Sequence, residues 1–252
     1  MSLKDKIAVV TGGSRGLGLG LVEALVEQGA RVTVVARQSE SLEAVRTRLG
    51  VSTIAADIRD EAAAHRILAE VRPDILALNA GAKPPMGRLD QMSWADFTAP
   101  WEHDVKAGLH WLQGALNLPL KAGSRVLVVS SGAAMNGSPM SGGYGGAKRM
   151  LWLMAGYANR VSEQKALGIR FQTIIPRQMI IGTGIGDAAA GAYAQALDIE
   201  PEAFVARFGA PMPPRVFGEN VVAVLDDPAH AGGFAFGLSG DKGVAMIEGF
   251  AD

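Results

Sequence analysis

Short apolar runs alternate with longer segments of helical periodicity along this chain, and that alternation limits the fold more than any other feature. Alternating strand and helix segments predict a parallel sheet with helices on both faces. Strands in such a sheet are covered on both sides, so they are expected to be continuous apolar runs. The predicted strands are 7–10, 32–36, 52–55, 75–78, 125–130, 170–175 and 233–238. The predicted helices are 17–28, 39–49, 60–71, 93–117, 144–166, 187–197 and 218–226.

Length and composition exclude several classes of protein. A chain of 252 residues suits one large domain, and 48% hydrophobic residues are ample for a sizeable core. The net charge of −1 gives no electrostatic basis for binding nucleic acid or an anionic membrane. The absence of cysteine excludes disulfides and thiolate chemistry. The N-terminal sequence lacks the apolar segment of a signal peptide, and we therefore expect a cytoplasmic protein. We also expect a single domain, 1–252.

The stretch from Ser131 to Lys148 contains the residues best suited to catalysis. It follows an apolar strand, and ligands of open α/β sheets bind at the carboxyl ends of strands. Tyr144 and Lys148 are four residues apart, so they share one face if a helix begins there. The lysine charge would then stabilise the phenolate and make Tyr144 a general acid and base, while Ser131 holds a substrate oxygen. A Y-x-x-x-K pair also arises by chance, and the two could instead be a packing residue and a solvated charge.

A glycine-rich turn joins the first strand to the first helix. Its residues Gly12, Gly16 and Gly18 have the spacing G-x-x-x-G-x-G, and such glycines let the backbone approach a pyrophosphate at the helix N-terminus. The second strand ends at Arg37, where NAD sites usually carry an acid. Together with Arg15 in the turn, Arg37 favours a 2′-phosphate and therefore NADP. The alternative interpretations are an ordinary tight turn and a surface charge.

In their order along the chain, these motifs resemble those of the short-chain dehydrogenase/reductase family. The resemblance covers roughly the first 180 residues, and its motifs are 11–18 (TGGSRGLG), Asp57, 79–81 (NAG), Ser131 and Tyr144 with Lys148. It implies a single Rossmann-type, doubly wound domain with a seven-stranded parallel sheet. It also implies hydride transfer between NADP(H) and a carbonyl or alcohol.

The resemblance implies roles for individual residues. Tyr144 would be the acid/base, Ser131 would hold the substrate oxygen, and Lys148 would support Tyr144 and bind the nicotinamide ribose. Asp104, at the place of the family's asparagine on helix four, would join this catalytic group. Asp57 and the residue after it would contact adenine. The implied cofactor contacts are Gly12, Ser14, Arg15, Gly16, Leu17, Gly18, Arg37, Asp57, Ile58, Asn79, Ala80, Gly81, Tyr144, Lys148, Pro176 and Thr183.

Three departures from the family pattern indicate a divergent member. Asp104 stands where the family has asparagine, and the usual glycine after the sixth strand is Arg177. The threonine expected a few residues later falls at Ile181, with Thr183 two positions further on. The C-terminal sequence is also not the family's usual ending. These differences leave the substrate unnamed.

Two other functions match parts of the sequence. The turn at 12–16 fits the hydrolase motif G-x-S-x-G, and Asp226 or Asp227 and then His230 follow in the order of a catalytic triad. Only one strand precedes Ser14, however, so the strands and oxyanion loop expected upstream are absent. The second alternative is a catalytically idle NADP-binding regulatory protein, which the three departures favour and the intact catalytic group opposes. The four histidines show no metal-ligand spacing, so we expect no metal.

Residues 177–215 interrupt the alternation, and an insertion after a strand's carboxyl end is well placed to cover a site. We expect this segment to cover a small, apolar carbonyl or secondary alcohol. The helix at 150–154 is apolar all round, which predicts burial on more than one side. In the family this helix and the one before it pair across a subunit interface. We therefore expect a homodimer or homotetramer with Trp111 and Trp152 at the interface, the alternative being burial within one chain. Candidate pocket residues are Met86, Met135, Met140, Met179, Phe204, Phe208 and Met212.

Overall fold

A single sheet of eight strands forms the centre of the structure, a computed structural model that describes residues 3–209 and 212–247. The strands are β1 (Ile7–Thr11), β2 (Arg31–Ala36), β3 (Ser52–Ala55), β4 (Ile75–Leu78), β5 (Arg125–Val129), β6 (Arg170–Pro176), β7 (Ala235–Ser239) and β8 (Gly243–Ile247). They lie in the order β3-β2-β1-β4-β5-β6-β7-β8. The first seven are parallel, and β8 pairs antiparallel with β7.

Helices fill the connections between the parallel strands. They are α1 (Gly16–Glu27), α2 (Ser39–Leu49), α3 (Glu61–Val71), α4 (Trp94–Pro100), α5 (Lys106–Asn117), α6 (Ala133–Asn136), α7 (Tyr144–Gln164), α8 (Gly184–Leu197), α9 (Pro201–Val205) and α10 (Pro214–Asp226). A π-helical turn, Trp101–Val105, joins α4 to α5. The predicted helix 93–117 is therefore interrupted at the point where the chain changes its helical pitch.

The sheet separates two apolar cores because successive residues of a strand point to opposite faces. Val10 of β1 packs in a core with α1, α2 and α10, whereas Val9 packs in a core with α3, α5 and α7. Helices thus cover both faces, and the predicted doubly wound architecture is confirmed. The eighth strand is the one addition to the seven predicted.

The elements that the sequence did not predict are short or lie at an edge. Strand β8 has a mixed pattern of half-buried and exposed residues, so it lacks the continuous apolar run that marks the other strands. Helices α6 and α9 have four and five residues, too few to display a helical period. Within the predicted covering insertion 177–215, α8 and α9 are present, and 210–211 lie outside the described residues.

The two tryptophans proposed as interface residues are buried inside the chain. Trp111 is 1% exposed, and its Nε1 donates to the carbonyl of Ile58 at 3.0 Å. Trp152 is 7% exposed and packs against Ile175 and Ala235. Assigning them to an interface was therefore wrong, because their apolar surface is covered by the fold itself.

Candidate active site

The residues selected from the sequence converge on one edge of the sheet. Strands β1, β4, β5 and β6 are neighbours and parallel, so their carboxyl ends lie together. The glycine turn follows β1, the sequence 79–81 follows β4, and Ser131 lies two residues after β5. This is the edge at which open α/β sheets bind their ligands.

The glycine turn is fixed against the end of β4 by hydrogen bonds. Thr11 Oγ1 accepts from the backbone N–H groups of Asn79 at 3.0 Å and Ala80 at 3.2 Å. Asn79 Nδ2 donates to the Thr11 carbonyl at 3.2 Å. Gly12 has a φ of +68°, and a Cβ there would lie 2.8 Å from Ala80 Cα. Glycine is required at this position by both conformation and space, and the side-chain amide of Asn79 is occupied in holding the turn.

The N-terminus of α1 has the chemistry of an anion site. Arg15 occupies the N-cap position, no side chain caps the helix, and no acid lies in its first turn. The first N–H groups of a helix have no intrahelical partner and favour negative charge. A Cβ added at Gly16 would lie 3.3 Å from Thr183 Cγ2, so the start of α8 adjoins the turn. Thr183 itself caps α8 by accepting from Gly186 N at 3.1 Å.

Three charged residues lie at the ends of β2 and β3. Arg37 is exposed, and within the described residues neither it nor Arg15 forms an ion pair. Asp57 binds the Arg59 guanidinium, with a shortest distance of 2.6 Å, and accepts from Arg59 N at 2.9 Å. Hydrogen bonding from Arg59 holds the pKa of Asp57 well below its usual range despite partial burial, and the charge of Arg37 contributes. Arg59 was missed from the sequence, although the D-x-R spacing after a strand was its signal.

Ser131 and Tyr144 provide two hydroxyl groups with free hydrogen-bonding capacity. Ser131 is half-buried, and its Oγ accepts from Ala133 N at 3.2 Å, which leaves its own hydrogen free to donate. Tyr144 begins α7 and is 7% exposed. Within the described residues no protein group hydrogen-bonds to its hydroxyl. Lys148 Nζ lies 5.7 Å from the centre of the Tyr144 ring, as the predicted helical spacing requires.

A buried ion pair lies next to Tyr144. Lys148 Nζ is 3.0 Å from Asp104 Oδ2, and the side chains are 4% and 0% exposed. The geometry is that of an ion pair rather than of an aligned hydrogen bond to Oδ2. Asp104 Oδ1 accepts from Ala82 N at 2.9 Å. A Cβ on Gly81 would lie 3.0 Å from Asp104 Oδ2 and 3.3 Å from Lys148 Nζ, so the sequence 79–81 covers the pair directly.

Each member of this pair shifts the pKa of the other. Burial lowers the pKa of Lys148, but the charge of Asp104, followed by that of Tyr144, outweighs burial, and the pKa is raised. Burial raises the pKa of Asp104, but the charge of Lys148 and the hydrogen bonds from His103 and Ala82 outweigh it, and the pKa is lowered. Both groups are therefore charged at neutral pH.

The family model described as short chain dehydrogenase matches residues 6–195, well over half of the chain. This chain belongs to the short-chain dehydrogenase family. Members of the family are oxidoreductases that use nicotinamide cofactors, and the described residues of the glycine turn fit such a group because they combine an uncapped helix N-terminus with free guanidinium groups.

Relatives within the family cover different shares of the chain. The short chain dehydrogenase/reductase AacuD of Aspergillus aculeatus is 34% identical over 57% of this chain, and the match spans 54% of that protein, about half its length. The oxidoreductase asL5 of Sarocladium schorii is 28% identical over 75% of this chain and 77% of its own. An NADPH-dependent pterin aldehyde reductase of Arabidopsis thaliana is 28% identical over 68% of this chain and 74% of its own.

This family member has an open cavity of about 400 Å³ between the β4–α4 connection and α8. Its lining consists of Lys83, Pro84, Pro85, Met86 and Ala188. Of the predicted pocket residues, Met86 lines this cavity. Met212 is 1% exposed in the main core, and Phe204 is 5% exposed in a small core between α8 and α9. Those two are packing residues, since their surface is already covered.

The segment from Gly184 to Phe208 is attached through Tyr193 to the loop between Ser131 and Tyr144. The Tyr193 hydroxyl lies 3.0 Å from Ser138 Oγ and accepts from Met140 N at 3.3 Å. Its ring stacks on Phe204 with ring centres 5.0 Å apart. Tyr193 was not selected from the sequence, because nothing there relates it to the loop between Ser131 and Tyr144.

The remaining sequence alternatives find little support in this family member. Asp227 Oδ1 accepts from Ala229 N at 2.8 Å, and His230 Nδ1 contacts the Ala223 carbonyl at 3.0 Å. Both side chains serve their local turn instead of a hydrolase triad with Ser14.

The described residues include no cluster of three or more possible metal ligands. None of the helices in the described ranges has the length and apolar character needed to span a bilayer.

Proposed function

We propose that this protein is an NADP(H)-dependent oxidoreductase that interconverts a carbonyl and a secondary alcohol. The observation that carries the proposal is the Tyr144 hydroxyl, which is without a protein partner in the described chain and lies beside buried Lys148. A phenol in this position can exchange a proton with a substrate oxygen, and a neighbouring cation stabilises the phenolate that results. The cofactor, when bound, supplies or accepts the hydride.

Ser131 and Tyr144 have complementary roles in this proposal. The free hydrogen of the Ser131 hydroxyl donates to the substrate oxygen and stabilises negative charge that develops on it during reduction. Tyr144 donates its proton to that oxygen in reduction and takes it back in oxidation. Asp104 balances the charge of Lys148 and thereby sets how strongly the phenolate is favoured.

The preference for NADP rests on charge at two strand ends. Arg15 and Arg37 are exposed and form no ion pairs in the described ranges, so both guanidiniums are available for a phosphate. A guanidinium binds phosphate oxygens in bidentate fashion. The NADPH-dependent relative from Arabidopsis thaliana supports the same choice. We further propose that 177–215 covers the substrate, since α8 borders the cavity and Tyr193 attaches it to the catalytic loop.

The test is to combine the purified protein with NADPH or NADH and a panel of small apolar ketones and secondary alcohols. The parent protein should oxidise NADPH. Tyr144→Phe should lower the rate by at least about 100-fold, because the acid/base is lost. Binding of NADPH should survive in Tyr144→Phe and can be followed by cofactor fluorescence. Tight NADPH binding with no turnover of any substrate would instead favour the idle regulatory protein.

We also propose a homodimer or homotetramer formed through α5 and α7. Leu109 of α5 is 44% exposed and Tyr157 of α7 is 51% exposed, and large apolar side chains on a surface often mark an interface. Light scattering at micromolar concentration should give a dimeric or tetrameric mass, which Leu109→Asp with Tyr157→Asp should reduce. A monomeric mass for the parent protein would contradict the proposal.

A further inference from the structure

The ion pair of Lys148 and Asp104 has a third member, His103. Its Nδ1 lies 3.0 Å from Asp104 Oδ1, and its side chain is 12% exposed. Consecutive residues of an α-helix do not face each other. The two lie in a π-helical turn, Trp101–Val105, a feature that occurs often at functional sites.

The hydrogen bonds around Asp104 assign the proton on the imidazole ring. A carboxylate oxygen only accepts hydrogen bonds, so His103 Nδ1 must carry the hydrogen that points at Oδ1. Ala82 N donates to the same oxygen at 2.9 Å. His103 Nε2 is buried without a partner among the described residues. A protonated Nε2 would be a buried donor without an acceptor, and the neutral Nδ1–H tautomer avoids this arrangement.

We infer that His103 is a positioning residue for the proposed reaction, because its Nδ1–H and the Ala82 N–H together fix the Asp104 carboxylate so that Oδ2 faces Lys148 Nζ. This inference rests on the proposed function of Tyr144 and Lys148. It extends that function by one residue that contacts neither of them and acts through the carboxylate.

The consequence for catalysis follows from the distribution of negative charge. Two donors on Oδ1 stabilise the carboxylate and make it a weaker partner for the Lys148 ammonium. With the His103 donor removed, the Ala82 N–H still holds Oδ1 and keeps Oδ2 towards Lys148, but less of the carboxylate's charge is dispersed, so that charge disfavours the Tyr144 phenolate more. Alcohol oxidation, which needs the phenolate, should then require a higher pH.

No other ionisable group competes for this role in the described residues. Helix α7 contributes Lys148 and Tyr144 to the surroundings of Asp104, and the β4–α4 connection contributes only a backbone N–H. Glu102 and Lys106 lie close in sequence, but both are exposed.

The kinetic test compares His103→Leu, which removes the donor, with His103→Asn, whose amide nitrogen can replace Nδ1. His103→Leu should shift the pH profile of kcat for alcohol oxidation to higher pH and lower kcat at neutral pH several-fold, with little change in KM. His103→Asn should keep the pH profile and kcat close to those of the parent protein. His110→Leu, on the following helix and 3.7 Å from Glu61, is the matched control and should leave the profile in place.

The same substitutions in an Asp104→Asn background separate positioning from packing. An amide carries no charge for His103 to stabilise, so His103→Leu should no longer shift the pH profile there. A lowered melting temperature with unchanged pH profiles in both backgrounds would mean that His103 only packs, and would overturn the inference.

A second measurement does not depend on activity. The nitrogen-15 shifts of the imidazole in cofactor-free protein should identify a neutral His103 with its hydrogen on Nδ1, and Asp104→Asn should change them. Hydrogen on Nε2 alone would contradict the inference even if the enzyme is active. If the parent protein turns over no substrate, the proposed function fails, and the tautomer still decides whether His103 holds Asp104.

Discussion

Lys148 Nζ lies 3.0 Å from Asp104 Oδ2, and both side chains are almost completely buried. Taking two charges out of water is costly, and a buried ion pair is often no more stabilising than two apolar residues in the same place. This pair lies beside Tyr144 and under Gly81, so it also changes the electrostatic surroundings of the Tyr144 phenol. The net charge near the phenol is set by the lysine and the carboxylate together, not by the lysine alone.

Replacing this carboxylate should change the pH dependence of the reaction. In Asp104→Asn the charge that opposes the Tyr144 phenolate is gone, so the basic-side profile of alcohol oxidation should move to lower pH. A shift of about one pH unit corresponds to about 1.4 kcal/mol. The measurement is kcat against pH for the parent protein and the variant.

Asp90→Asn is the control for this substitution, because Asp90 pairs with Arg88 on the exposed surface. Its profile should coincide with that of the parent protein. Coincident profiles for Asp104→Asn and the parent would show that the Asp104 charge does not reach the reacting phenol, and the hypothesis would be abandoned.

The pair should also make stability depend on pH in a defined direction. The pKa of Asp104 is lowered in the folded protein, so its contribution is present above its ordinary value of 3.8 and is lost as pH falls through the folded value. The pKa of Lys148 is raised, so its contribution is present below 10.5 and is lost as pH rises through the folded value.

Removal of one partner from a buried pair costs roughly 3–5 kcal/mol, within the stability of an ordinary domain. Asp104→Asn should therefore remain folded but unfold in urea at a lower concentration than the parent at pH 7. The difference should narrow below about pH 4, where the carboxyl of the unfolded parent is protonated. A difference that stayed constant from pH 3 to pH 7 would contradict this account.

The cofactor preference can be tested at the end of β2. Arg37→Ala should weaken NADPH binding by roughly 10- to 150-fold, equivalent to about 1.5–3 kcal/mol for a hydrogen bond to a charged group. NADH binding should change little, since NADH has no 2′-phosphate. Arg31→Ala, which removes an exposed arginine at the opposite end of the same strand, is the matched control. Equal affinities of the parent protein for both cofactors would exclude the proposed preference.

The central strands could be predicted because each has a strong local signal. A fully buried parallel strand is a continuous apolar run, and the residues at its carboxyl end identify the functional edge. The run 75–78 followed by Asn79 illustrates both, and the structure places β4 at Ile75–Leu78.

The remaining features depend on geometry that no local pattern contains. His103 and Asp104 are in contact within a π-helical turn, which the periodicity does not reveal. Arg59 is the exception, because the D-x-R spacing after β3 was a local signal of its binding to Asp57. Trp152 was judged from helix composition, which cannot distinguish burial within a chain from burial between chains. Trp111 was added from the family resemblance, which says nothing of burial within this chain.

The attachment of α8 to the loop between Ser131 and Tyr144 gives the last prediction. The Tyr193 hydroxyl makes two contacts, with Ser138 Oγ at 3.0 Å and Met140 N at 3.3 Å, while its ring stacks on Phe204 within 184–208. Tyr193→Phe keeps the stacked ring and loses only the hydroxyl, so the fold should survive with a loss of about 1–3 kcal/mol for the two hydrogen bonds. A segment held less firmly opens locally more often, so hydrogen exchange in 184–208 should accelerate, and KM for the substrate should rise. Thr47→Val, which removes an exposed hydroxyl on α2 that donates to Glu43, is the control and should alter neither quantity. Unchanged exchange in Tyr193→Phe would mean that packing alone holds the segment, and that the hydroxyl contacts contribute nothing to covering the site.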